Sequence, residues 1–424
     1  MSEIYQQTLL YRFVRRYAMF GLHRFYSKVI VVGRENLPTD DSALIFTANH
    51  LNALMDALSL ALLVPKEKAI VFLAKADLFD TKFGAAVMRF AKILPAYRME
   101  NGIENLGKNN DVFEECIDVM SHGQYIGIMP EGGQGEQHRV RPLVKGVFRI
   151  AFETQKRFGN DKSVKIIPVG IDMGDLIKSN KHLIINVGKP IDIQTHMSEY
   201  AENPSTTTNK IKSELRKSLS NLTRDIASVH HYDTIKLLSD VEGYKFTPDK
   251  GDKNPIFSRF RHQQAVIKNL VKLERENHAE FEKVKEEADI LQAQLNRGNF
   301  RPTVFSSEKT NVWELIFGFP VFLFGFITNA LPTFMPVWIR KSLRVEYDGF
   351  YSSIHFTLGM LLFPLFYILQ TVLVAQIFSF GIIGSVVFFI LQYASRKYAL
   401  KRWGKIRRTL KIRAFRNKKS SASF

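Results

Sequence analysis

The chain has 424 residues, enough for two or three domains, and a formal net charge of +18. Twelve of the basic residues lie in 396–424, where there is no Asp or Glu, so the first 395 residues carry only +6; that distribution, with no recognised nucleic-acid motif, argues against a nucleic-acid partner and for a basic tail on an anionic membrane face. The single cysteine, Cys116, excludes an internal disulfide and a cysteine-based metal cluster, and fits a reducing, cytosol-facing location.

The start, Met1-Ser2-Glu3-Ile4-Tyr5, lacks the basic region, apolar core and cleavage site of a signal peptide, so no export is expected. Residues 8–28 place Leu9, Leu10, Phe13, Val14, Tyr17, Phe20, Leu22 and Phe25 at helical spacing, among Arg12, Arg15, Arg16, Arg24 and Lys28. The arginines are too many for a membrane span; the stretch reads either as a basic amphipathic helix on a membrane surface (1–30) or as a helix packed on the core. Apolar runs at 29–33, 43–48, 69–74, 124–129, 165–171 and 183–187 read as strands, and 77–91, 110–121 and 147–157 as helices. This alternation predicts an α/β domain over about 31–195. Pro168 breaks the 165–171 run, which suggests an edge strand or a bulge.

Residues 196–310 read as a helical region. Residues 210–227 carry Ile211, Leu215, Leu219, Leu222 and Ile226 on one face. Residues 261–297 predict one long helix with a register shift near Asn277, packed on a neighbour or forming a short coiled coil. From 311 to 396 the composition is that of a membrane-embedded region. Trp313 to Trp338 holds one acid, no base and the prolines Pro320, Pro332 and Pro336; His355 to Ala394 holds no Lys, Arg, Asp or Glu. A span needs about 20 apolar residues, so 355–394 is long enough for two helices joined near Ser379-Phe380-Gly381. With the basic tail (397–424) and the α/β domain both cytoplasmic, the number of crossings is even. Two crossings in 355–394 then predict a re-entrant or broken hairpin for 313–338.

At the border between the 43–48 strand and the following helix stands Asn49-His50-Leu51-Asn52-Ala53-Leu54-Met55-Asp56. A histidine is the usual general base near neutral pH, and a carboxylate on its second nitrogen fixes the tautomer. The same pair also reads as a helix-capping histidine with its aspartate in a salt bridge, the commoner case for a lone pair. Downstream, Arg98 follows the apolar Ile93-Leu94-Pro95-Ala96 run. Pro130-Glu131-Gly132-Gly133-Gln134-Gly135 ends a strand in a glycine-rich turn whose amides can approach an anion closely. His138, Arg139, Arg141 and Lys145 add a positive cluster suited to phosphate, although no P-loop pattern is present.

In this order, Asn49-His50 with Asp56, Arg98 after Pro95, Met129-Pro130-Glu131-Gly132, and Ile166-Ile167-Pro168-Val169 resemble the four motif blocks of the phospholipid/glycerol acyltransferase family. The resemblance covers about residues 40–190; the apolar C-terminal part looks like a membrane-anchored branch of the family. It implies a mixed sheet flanked by helices, followed by a helical region and C-terminal membrane helices. It further implies acyl transfer from a thioester donor, acyl-CoA or acyl-carrier protein, to a hydroxyl of glycerol 3-phosphate or 1-acylglycerol 3-phosphate, with no metal and no other cofactor. His50 would be the base and Asp56 its orienting partner. Asn49, Arg98, Glu131, Gly132 and Gly133 would bind substrate, with Arg139 or Arg141 taking the phosphate-binding place that Gly133-Gln134 does not supply. One departure is plain: five residues, 51–55, separate His50 from Asp56 where the family commonly has four. The longer spacing is accommodated if the helix starts after His50, with Asn52 as its N-cap. The alternative function is a catalytically silent membrane scaffold that binds partners through 261–297.

Overall fold

The computed structural model describes residues 3–98, 107–306 and 312–421. The domain boundary expected at 310/311 and the last residues of the tail, 422–424, lie outside the described residues. The chain divides into two compact units. The first is Met1–His23, Val29–Leu176 and Leu183–Thr223; the second is Arg24–Lys28, Ile177–His182 and Arg224–Phe424.

The first unit is built on α1 (Leu9–Phe25), β1 (Lys28–Val32), β2 (Ala43–Ala48), α2 (Ala53–Ala61), β3 (Ile70–Lys75), α3 (Lys82–Phe90), β4 (Ile93–Ala96), α4 (Asn109–Ser121), β5 (Tyr125–Ile128), α5 (Gly146–Phe158), β6 (Val164–Asp172), β7 (His182–Val187), β8 (Ile191–Asp192), α6 (Met197–Glu202) and α7 (Pro204–Leu222). The strands form one sheet in the order β1-β7-β6-β2-β5-β3-β4, with β8 beside β6. Pairs among β2, β3, β4, β5 and β6 are parallel, whereas β7 and β8 run antiparallel to β6. This is the mixed sheet flanked by helices that the resemblance implied. β2 is buried along its whole length, as a continuous apolar run requires in a strand covered on both faces.

The main core joins Ile45, Ile126 and Ile166 of the sheet to Met120 of α4, Phe148 and Phe152 of α5, and Leu215 and Leu219 of α7. The first long helix of the region expected to start at 196 therefore belongs to this core. Its end approaches β6 closely: a Cβ at Gly170 would stand 2.3 Å from the Leu222 carbonyl oxygen.

Pro168 is a correction. It sits in a central strand, paired to Thr47 of β2, not at an edge or a bulge. On its other side β6 pairs with β8 through Lys165–Ile166 and with β7 from Val169 onward, so Pro168 falls where one neighbour gives way to the next. Its carbonyl accepts a hydrogen bond from Gly188 N at 2.8 Å on that side, and the N–H it lacks would point into the gap.

α1 has a buried face and an exposed apolar one. Tyr11, Leu22 and Phe25 are buried, while Leu9, Leu10, Phe13, Val14 and Phe20 are exposed. The Arg15 guanidinium donates to the carbonyls of Ala61, Val64 and Lys68, closing the C-terminal end of α2 and the turn after it. α3 has no buried residue and exposes Phe83, Val87 and Phe90.

The second unit contains α8 (Tyr232–Lys245), α9 (Pro255–Glu276), α10 (His278–Arg297), α11 (Val312–Phe317), α12 (Phe319–Ser342), α13 (Tyr351–Phe378) and α14 (Ile382–Ser421). The long helix expected over 261–297 is broken at Asn277, whose side chain caps α10 by accepting from Glu280 N at 3.2 Å. The apolar faces of the two pieces are buried with α8: Ile267 and Phe281 pack with Ile226, Tyr232 and Ile235, and Ala288 and Leu295 with Leu237 and Val241. The two pieces are thus packed on a neighbouring helix, the first of the two arrangements expected for 261–297, with their polar faces exposed.

α12 continues through Pro332 and Pro336 as one helix, in place of the broken hairpin expected there. α12 and the stretch Asp348–Phe378 are each long and apolar enough to cross a membrane. The break after Phe378 falls where Ser379-Phe380-Gly381 predicted it, with Ser379 left-handed at φ 53°. It leaves only 382–394 of α14 before Arg396, about 20 Å of helix at 1.5 Å per residue, short of the ~30 Å hydrocarbon core. A polar network ties the three helices: Tyr367 donates to Asn329 Oδ1 at 2.6 Å, Asn329 to the Gly325 carbonyl, and Gln392 to Thr371 Oγ1. Near its C-terminal end α14 packs Ile412 and Phe415 on the α8/α10 cluster, so the basic tail is helical there.

Candidate active site

The residues singled out by sequence stand beyond the carboxyl ends of parallel strands, where an open α/β sheet places its crevice. His50 follows β2, Arg98 follows β4 and Glu131 follows β5.

Asn52 starts α2. It is extended, and its side chain accepts a hydrogen bond from Met55 N at 3.2 Å. The chain therefore leaves β2, makes a short loop, and brings Asp56 round in the first turn of the helix. His50 Nδ1 lies 3.0 Å from Asp56 Oδ2, and the same oxygen accepts from the backbone N–H of Leu51 at 2.9 Å and of Asn52 at 2.7 Å. This geometry absorbs the five-residue spacing. The Asp56 side chain is 0 % exposed and that of His50 15 %. Burial pushes the Asp56 carboxyl above its ordinary range, while His50 and the two backbone donors pull it down. With Nδ1 turned to the aspartate, Nε2 is the nitrogen left to act on a substrate.

Asn49 is not aimed at that imidazole. Its amide donates to the Ile171 carbonyl at 3.0 Å and accepts from Ile171 N at 2.8 Å, which fixes the end of β2 to β6. These bonds give Asn49 a positioning role at the end of β2.

The glycine-rich turn is held from two sides. Val144 N donates to the Pro130 carbonyl at 2.7 Å, and Gly135 N donates to the His50 carbonyl at 3.0 Å. Gly132 is left-handed at φ 67°, and a Cβ there would meet Val144 Cγ1 at 2.8 Å, so only glycine fits without displacement. Glu131 is buried and accepts from Arg141 Nε at 2.8 Å. Its second oxygen is buried without a hydrogen-bond partner. Burial pushes its carboxyl up to about 7 against the pull of Arg141.

Arg98 and Arg141 converge on Gly133. A Cβ at that position would stand 3.7 Å from Arg141 Nη1 and 3.9 Å from Arg98 Nη1. Two guanidiniums on one turn, beside His50, make a locus suited to a phosphate. Of the two arginines offered by sequence as substitutes, Arg141 is the one with this placement. The backbone N–H of Arg139 closes a turn onto the Gln137 carbonyl, and its side chain is half-buried. Sequence reasoning missed Gly135, whose signal was its place in the glycine run, and the dual attachment of Arg141. Among the described residues, no group of three or more His, Cys, Asp or Glu could hold a metal ion. Cys116 is buried in the core, where burial pushes its thiol up and makes it inert.

The acyltransferase family model matches residues 28–172. The chain is 21% identical over 220 residues to a chloroplastic 1-acyl-sn-glycerol-3-phosphate acyltransferase of Arabidopsis thaliana, covering 52% of this chain and 56% of that protein. It is 25% identical over 130 residues to glycerol-3-phosphate O-acyltransferase 1 of Saccharomyces cerevisiae, covering 31% of this chain and 17% of that protein. Among solved structures, the 1-acyl-sn-glycerophosphate acyltransferase PlsC of Thermotoga maritima is similar at a TM-score of 0.35 and 20% identity, over 50% of this chain and 80% of that one. The chain spans about half or less of the length of the curated relatives it matches.

Proposed function

Residues 28–172 belong to the acyltransferase family, and from that premise we propose that the chain is a membrane-bound glycerolipid O-acyltransferase. It moves a fatty acyl group from a thioester, acyl-CoA or acyl-carrier protein, to a glycerol hydroxyl of glycerol 3-phosphate or 1-acylglycerol 3-phosphate. The reading is carried by one observation: an imidazole held at 3.0 Å by a buried carboxylate, beside a turn on which two guanidiniums converge.

His50 Nε2 takes the proton from the acceptor hydroxyl as its oxygen attacks the thioester carbonyl. Asp56 holds the tautomer and stabilises the imidazolium that forms. The tetrahedral intermediate collapses with cleavage of the carbon–sulfur bond, and the imidazolium returns its proton to the departing thiolate. Arg98 and Arg141 hold the acceptor phosphate, and Glu131 fixes Arg141.

The acceptor or product carries acyl chains, so a lipid surface is its natural location. The exposed apolar face of α1 and the two long apolar helices support attachment there. α12 and α13 cross and return, which keeps the basic end of α14 and the acyltransferase unit both cytoplasmic.

The test is a panel assay on the full chain with labelled acyl-CoA and acyl-carrier protein against both acceptors. Transfer to at least one pair, lost in His50→Ala, is expected. Normal turnover in His50→Ala refutes the assignment.

A further inference from the structure

In the second unit, basic side chains gather without an acid. Arg24 donates through Nη2 to the Tyr393 carbonyl at 2.9 Å, and its guanidinium lies 4.1 Å from the centre of the Tyr393 ring. The Arg396 guanidinium, one turn further along α14, lies 3.8 Å from the centre of the Phe363 ring. Arg24, Arg396 and Lys397 are all within electrostatic reach of one another. The Nε atoms of Arg24 and Arg396 are buried and make no hydrogen bond. Among the described residues, no carboxylate pairs with any of the three.

Arg24, Arg396 and Lys397 are half-buried, and cations withdrawn even partly from water are ordinarily paired, because desolvating a charge is costly. Here the neighbours are aromatic rings, which hold a guanidinium plane in place but bring no negative charge. Three like charges at close quarters repel, and aromatic faces compensate only part of that. The cluster is complementary to a group with concentrated negative charge and several acceptor oxygens, and a guanidinium fork meets phosphate with two parallel hydrogen bonds. The Arg396 guanidinium is held against Phe363 of the apolar stretch Asp348–Phe378, so the cluster borders the segment that would meet lipid, and an anionic lipid is the phosphate source at hand.

We propose that Arg24, Arg396 and Lys397 form a phosphate-binding site, separate from His50, whose occupant in the membrane is the headgroup of an anionic phospholipid. The lipid occupant rests on the membrane attachment proposed above, and the site does not depend on acyl transfer. In this arrangement the lipid neutralises the cluster and holds Arg24 beside α13 and α14.

Native mass spectrometry on the full chain in neutral detergent tests this, with phosphatidate, phosphatidylglycerol and phosphatidylcholine offered in turn. The two anionic lipids are expected to be retained over phosphatidylcholine by roughly tenfold or more. The preference should collapse to near parity in R24Q/R396Q and persist in R24K/R396K, which keeps the charge and controls for misfolding. His50→Ala should lose turnover and keep the lipid preference, so a failure of the enzymatic reading is distinguishable from a failure of this one. Inorganic phosphate alone is added as a competitor: failure to displace the lipid supports the lipid occupant, and displacement at low-millimolar concentration overturns it in favour of free phosphate. Equal retention of anionic and zwitterionic lipids by the unaltered protein, or an anionic preference that survives in R24Q/R396Q, overturns the site.

Discussion

Gly135 donates its backbone N–H to the carbonyl of His50 at 3.0 Å, so the turn that carries Glu131 is bonded to the residue that carries the imidazole. A Cβ at 135 would stand 3.2 Å from Arg141 Nε, the atom that anchors Glu131. Gly135→Ala is therefore expected to displace Arg141 and leave the sheet intact. The KM for the phosphate-bearing acceptor should rise about tenfold, as for a weakened charge-assisted contact, with kcat and the melting temperature little changed. Steady-state kinetics beside a thermal melt decides it, and an unchanged KM would detach Arg141 from acceptor binding.

Asp56 Oδ2 serves the His50 ring and two backbone N–H groups at once. Asp56→Asn keeps the shape but removes the charge, and its amide cannot orient the imidazole in the same tautomer. A fall in kcat of about 10³-fold or more is expected, with KM within a few fold. A loss confined to KM would show that the pair binds substrate instead of moving its proton.

Glu131 gives a pH dependence with a definite sign. Its carboxyl rises from 4.5 to about 7 on folding, chiefly by burial. Between these values the folded chain keeps a proton that the unfolded chain releases. The contribution of this group is fully present below about 4.5 and is withdrawn as the pH climbs to about 7. Glu131→Gln is neutral throughout and lacks that slope. Urea midpoints of the two proteins, measured across this window, should show the unaltered protein losing stability relative to the variant as pH rises. Parallel curves would mean that Glu131 titrates at its ordinary value.

The proposed crossings by α12 and α13 predict that residues 343–347 lie on the face opposite the C-terminus. Cys116 is buried, so a cysteine introduced at Arg344 is readable by an impermeant maleimide. Labelling from the far side only is expected, and labelling from the cytoplasmic side restores a re-entrant 313–338.

Six of the eight strands were legible because each is an apolar run bounded by turn residues, and β2 is buried throughout as its sequence requires; β4 and β8 are too short to stand out as runs. The start of α2 was also legible, because Asn52 caps it as a short polar side chain before an apolar run should. Other features depended on distant partners. Pro168 looks like an edge residue until β7 and β8 are seen to change places beside it. The pairing of Asn49 with Ile171 has no local sign, because the two lie more than a hundred residues apart. Asn277 was noticed as a register shift, although an asparagine with Glu280 three residues on is the sign of a helix start. The convergence of Arg98 and Arg141 on Gly133 follows from no local pattern, because it joins the ends of separate strands.

The pairing of Asn49 with Ile171 spans 122 residues. It therefore governs the order in which the molecule can assemble. β2 emerges early from the ribosome, yet its partners β5 and β6 come much later. Contacts so distant in sequence form slowly, because a long loop must close before they are rewarded. Until residue 171 is available, the segment before His50 lacks its anchor and β2 presents unpaired edges open to wrong partners. Chain synthesis and the maturation of the His50 site are thus coupled in time. A nascent chain halted short of β6 should be captured by chaperones and by proteases, whereas one extended beyond α7 should resist both.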